Sequence, residues 1–92
     1  MNNHLISQKL LAYARNLQGG ANLYRVRSYR HAAMIIDGLD RPVTEILSKN
    51  GRAALARLPG VGDHLAYTIE MLLRTGKIVT FAERRQQDKK VA

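Results

Sequence analysis

Ninety-two residues leave room for one domain around one modest core, and the absence of cysteine excludes disulfides, thiolate metal sites and thiol catalysis. Fifteen Lys and Arg against seven Asp and Glu give a formal charge of +8, an imbalance that attracts polyanions, nucleic acid before others. No apolar run approaches the roughly 18 residues of a membrane span, and Met1-Asn2-Asn3-His4 opens no signal peptide. No membrane partner is therefore expected, and the expected location is cytoplasmic, or nucleoid-associated in a bacterium.

The spacing of Leu5, Ile6, Leu10, Tyr13, Ala14 and Leu17 predicts a helix over 3–17 with one apolar face. Gln18-Gly19-Gly20-Ala21-Asn22 stops it, since paired glycines accept the left-handed backbone of a helix end, and so short a linker folds the next helix back. A second helix is predicted over 24–37, with Val26, Tyr29, Ala32, Ala33 and Ile36 inward and Gly38 as its stop. Arg25, Arg27 and Arg30 fall off that apolar face. Three arginines interleaved with Tyr24 and Tyr29 suit contact with nucleic acid, because phenols donate to phosphate and rings stack on bases. His31 reads as a helix-surface residue.

Asp40-Arg41-Pro42 opens a short third helix with Val43, Ile46 and Leu47 inward, and Asn50-Gly51 closes it. One or two turns over 52–57 lead into Leu58-Pro59-Gly60-Val61-Gly62, and a last helix is predicted over 63–74, with Leu65, Ala66, Ile69, Leu72 and Leu73 inward and Gly76 as its stop. With no strand signal, the fold class is all-α, a compact bundle of four or five helices. The domain is expected over 1–82, followed by a basic, flexible tail over 83–92 carrying Arg84, Arg85, Lys89 and Lys90. The initiating Met1 favours a complete protein.

The glycine turn is the stretch that proposes a function. The first N–H groups of a helix lack internal partners and carry about half a positive charge, so an anion is stabilised there. Gly60 and Gly62 remove the side chains that would hold a phosphate off the backbone, while Val61 plugs the space between the flanking helices. Arg57, His64 and Arg52 are candidates for added side-chain contacts. Asp63 suits the helix dipole but repels phosphate, so it is expected to point aside. The binding set read from the chain is therefore Tyr24, Arg25, Arg27, Tyr29, Arg30, Arg57, Gly60, Val61, Gly62, Asp63 and His64.

Leu58-Pro-Gly-Val-Gly62 followed by Leu65-Ala66 and Ile69 resembles the helix-hairpin-helix motif, a binder of the DNA backbone without sequence preference. Together with Asn22-Leu-Tyr-Arg-Val-Arg-Ser-Tyr-Arg-His-Ala-Ala33 upstream and Leu73-Arg-Thr-Gly-Lys77 downstream, residues 3–81 resemble the N-terminal lyase domain of family X DNA polymerases. That resemblance implies binding to gapped, nicked or 5′-phosphorylated DNA in repair, with Arg25, Tyr29 and His64 in the phosphate pocket and Tyr24 beside them. Ala56 stands where the family has a basic pocket residue, with Arg57 adjacent. Helix-hairpin-helix domains often hold a monovalent cation on hairpin carbonyls, here those of Ala56, Leu58 and Val61.

The resemblance does not carry the chemistry across. The family's Schiff-base lysine aligns with Thr68, and a hydroxyl cannot form an imine. Lys77 lies beyond the helix end, about 20 Å from the hairpin at about 1.5 Å per residue, and Lys9, Lys49, Lys89 and Lys90 have no spacing that brings them to the pocket. His4, His31 and His64 are too scattered for a metal cluster, and no Ser, His and acid set forms a triad. A DNA-binding module without catalysis is the expectation. A lyase using a substitute lysine and a protein-interaction bundle are the alternatives, and protein partners are left open.

Overall fold

The computed structural model describes residues 1–17 and 23–79. The glycine-rich linker over 18–22 and the basic tail over 83–92 lie outside the described residues. Among the described residues four helices follow in order: α1 (Asn3–Asn16), α2 (Leu23–Asp37), α3 (Val43–Ala56) and α4 (Gly62–Thr75). The all-α class is borne out.

Each boundary has a local cause. Asn2 caps α1, its side chain accepting the Leu5 N–H at 2.8 Å. Asn3, one residue further, reaches across the fold: its Oδ1 accepts the Val43 N–H and its Nδ2 donates to the Arg41 carbonyl, both at 2.8 Å. The N-cap position of α3 is Pro42, which has no side chain able to cap, so α1 supplies the cap that α3 lacks. Gly76, at φ 76°, ends α4 in the left-handed conformation. Gly51, at φ 78° and ψ 176°, kinks α3 where the sequence predicts one helix closing and a shorter one beginning.

α1 packs with α2 and α3 with α4, and one core joins the two pairs. Its members are Ile6, Leu10 and Ala14 from α1; Tyr29, Ala32, Ala33 and Ile36 from α2; Val43, Ile46 and Leu55 from α3; Val61 from the hairpin; and Leu65, Ala66, Ile69 and Leu72 from α4. Burial of each large aliphatic side chain in this set contributes about 1.5–3 kcal/mol. The Tyr29 ring meets that of Tyr13 with centroids 4.8 Å apart and a 38° tilt, which fixes α2 against α1. The buried stripe of α1 departs from the expected one. Leu5 is exposed and Ser7 is buried, because α2 covers the Ile6–Leu10–Ala14 side of the helix and Ser7 lies on it.

Arg52 secures the second segment of α3. Its guanidinium stands 5.5 Å from the centre of the Tyr67 ring and 3.5 Å from the Glu70 carboxylate, both on α4. Arg52, a candidate for a supplementary anion contact, lines neither groove described below.

Candidate functional site

The hairpin between α3 and α4 is shaped by its own backbone. Leu58 N–H donates to the Leu55 carbonyl at 3.2 Å and Val61 N–H to the Leu58 carbonyl at 3.0 Å, closing two short turns around Pro59. Gly60 and Gly62 take φ of 87° and 70°, a region that side-chain-bearing residues enter at a cost, so the two glycines are conformational requirements of the turn. Val61 between them is buried and joins the core. α4 starts at Gly62, and no side chain among the described residues caps its start. Its first-turn N–H groups are thus oriented toward whatever acceptor approaches the hairpin.

α2 lies alongside this turn. Tyr24 and Ser28 from α2 meet Val61 and Leu65 along a seam, and a groove opens on each flank of it. On one flank, Arg25, Tyr29 and His64 join the seam residues around a groove of about 250 Å³. On the other, Arg27, His31, Gly60 and Gly62 line a wider groove of about 700 Å³. Arg25 and His64 are partly buried, Tyr29 is buried, and Tyr24, 82 % exposed, stands open to solvent at both grooves.

The electrostatics of the narrower groove favour an anion. Burial first, and the Arg25 guanidinium second, hold the His64 imidazole below its ordinary pKa of 6.5. An anion seated between the two side chains reverses the second of these effects and draws a proton onto His64. Oxygen ligands of a phosphate also match the guanidinium fork of Arg25.

Eight of the eleven residues read as the binding set line these two grooves: Tyr24, Arg25, Arg27, Tyr29, Gly60, Val61, Gly62 and His64. Three stand apart. Arg30 lines a separate groove with Leu11, Ala14, Arg15 and Val26, between α1 and α2. Arg57 is the exposed C-cap of α3, and Asp63 is exposed on the first turn of α4. Ser28 and His31 also line these grooves, and His31 is exposed on the surface of α2 as expected. Their signal is positional: Tyr24, Ser28 and His31 recur at steps of four and three, one polar stripe of α2 beside its apolar face.

Thr68, one turn beyond His64 on α4, is wholly buried, and its hydroxyl donates to the Val79 carbonyl at 3.2 Å. It belongs to the packing beneath the site. Of the three carbonyls named for a monovalent cation, that of Leu58 accepts the Val61 N–H and keeps a second lone pair, and a set of backbone oxygens suits a hard cation. No helix among the described residues is long and apolar enough to cross a membrane.

Neither a curated protein nor a solved structure matches the chain. A family model does: that of the helix-hairpin-helix domain, over residues 1–78, a family whose members commonly bind DNA without sequence specificity. With the glycine hairpin between α3 and α4 inside that span, the chain belongs to the helix-hairpin-helix domain family.

Proposed function

We propose that this protein is a DNA-binding module that grips backbone phosphate at the seam between α2 and the hairpin, with a preference for gaps, nicks and 5′-phosphorylated ends, and without covalent chemistry. The observation that carries the reading is the groove in which Arg25, Tyr29 and His64 converge beside the hairpin of a helix-hairpin-helix chain.

The mechanism is positional. Val61 and Leu65 set the spacing of the hairpin from α2, and Gly62, with open space where a side chain would stand, lets a phosphate approach the start of α4. Arg25 supplies a charge-assisted donor pair from the opposite wall, and His64 adds a third donor once it is protonated. None of these groups reads a base edge, so affinity comes from phosphate and falls with salt. The preference for a terminal phosphate and the role in repair are supported by the resemblance to the lyase domain of family X polymerases, whose 5′-phosphate pocket falls on Arg25, Tyr29 and His64. The hairpin carbonyls of Ala56, Leu58 and Val61 are the group that would hold a monovalent cation, whose charge would add to the attraction for phosphate.

Fluorescence anisotropy on gapped duplexes tests the reading. Two duplexes of unrelated sequence are expected to bind alike, and each to bind more tightly with the 5′-phosphate at the gap than without it. Strong preference for one sequence, or indifference to the phosphate, would remove the corresponding part of the proposal.

A further inference from the structure

The two flanks of the seam are built alike. Arg25 and His64 face one groove, while Arg27 and His31 face the other, and Ser28, Val61 and Leu65 separate them. His31 is held against the hairpin: a Cβ built on Gly60 would lie 2.7 Å from both its Cε1 and its Nδ1. The imidazole is nevertheless exposed, as is Arg27 one turn before it on α2. Among the described residues the ion pairs engage Asp37, Glu45 and Glu70, none of them with Arg27 or His31. The wider groove, about 700 Å³, thus presents a guanidinium and an imidazole to solvent beside the open backbone of Gly62.

We infer that the wider groove is a second phosphate seat, with Arg27 and His31 as its side-chain ligands, and that one DNA strand crossing the Ser28–Val61–Leu65 seam places neighbouring phosphates in both grooves. The inference rests on the backbone-binding reading and adds to it a path for the strand. Gly60 serves this path twice. It makes the turn, and its lack of a side chain is what allows His31 to lie over the hairpin.

The test is a set of salt titrations on the 5′-phosphorylated gapped duplex with the wild type, Arg25→Ala, Arg27→Ala, His31→Ala and His31→Arg. Both Arg27 and His31 are exposed, so the variants should fold, which circular dichroism checks. Arg27→Ala is expected to weaken binding about tenfold and to reduce the log–log salt slope by about one unit. His31→Ala is expected to weaken binding and His31→Arg to restore it. Wild-type affinity and slope in Arg27→Ala and His31→Ala, alongside weakened binding in Arg25→Ala, would overturn the second seat and leave the proposed function standing. Absence of binding by the wild type at low salt would overturn both.

Discussion

Gly60 and His31 occupy the same space: the methyl group that alanine would add at 60 falls 2.7 Å from the His31 ring, and the backbone there has φ 87°. Gly62 has φ 70° but open space around it. Gly62→Ala therefore carries only the left-handed backbone cost, about 1–2 kcal/mol, whereas Gly60→Ala carries that cost and a displaced imidazole. Urea denaturation should rank Gly60→Ala as the more destabilised of the two. Combining it with His31→Ala should return it toward the Gly62→Ala value.

His64 makes stability depend on pH in a defined direction. Its pKa in the folded chain lies below the ordinary 6.5, so between those two values the unfolded chain binds more protons than the folded one. The stability this provides is fully present above about pH 6.5 and is lost as pH falls through the lowered folded value. Denaturation midpoints from about pH 7.5 down to about pH 5 should fall in the wild type. The part of that fall due to residue 64 should vanish in His64→Gln. Arg25→Ala should shrink it, since it removes the smaller of the two causes. Phosphate binding works the other way, because an anion favours the imidazolium. DNA affinity should therefore rise as pH falls across the same window.

Arg25 and Arg30 differ in where α2 points them. Arg25 lines the groove with His64, and Arg30 lines one shared with α1. Arg25→Ala should weaken binding to a phosphorylated gap about tenfold, the loss of one charge-assisted contact. Arg30→Ala should stay within about twofold of the wild type at moderate salt, where distant charges are screened.

Asn3→Ala removes both the donor to the Arg41 carbonyl and the acceptor of the Val43 N–H. Loss of a helix cap costs about 0.5–2 kcal/mol, and thermal unfolding should register it. DNA affinity should not change, since Asn3 lines neither groove.

Restoring a lysine at 68 should not create a lyase. Thr68 is wholly buried and bonded to the Val79 carbonyl, so Thr68→Lys places an ammonium in the core and should destabilise the fold by several kcal/mol. Borohydride reduction on an abasic-site duplex should trap no adduct with the wild type. A trapped adduct would revive the lyase reading, and peptide mapping of it would identify the amine that stands in.

The helices were legible because their stops and stripes are local. Gly51 and Gly76 carry positive φ at or beside the stops predicted from the chain, and the inward faces of α2 and α4 follow their apolar spacing. What could not be read depends on which neighbour each helix meets. Leu5 and Ser7 exchange their expected environments because α2 chooses the side of α1 it covers. Arg52 carries a charge like its neighbours, and only the approach of α4 gives it Glu70 and Tyr67 as partners. Within the candidate site, Arg25, Tyr29 and His64 followed from a motif. Ser28 and His31 share one stripe of α2 with Tyr24, and only the docking of α2 onto the hairpin brings that stripe to the grooves.

The most direct measurement of where DNA sits is an amide chemical-shift titration of the ¹⁵N-labelled protein with a 5′-phosphorylated gapped duplex. The largest shifts should fall on Arg25, Arg27, Gly60, Gly62 and His64, with Met34, Ser48 and Arg74 unmoved. Shifts concentrated elsewhere, with the hairpin glycines unmoved at saturation, would contradict a phosphate grip at the seam of α2 and the hairpin.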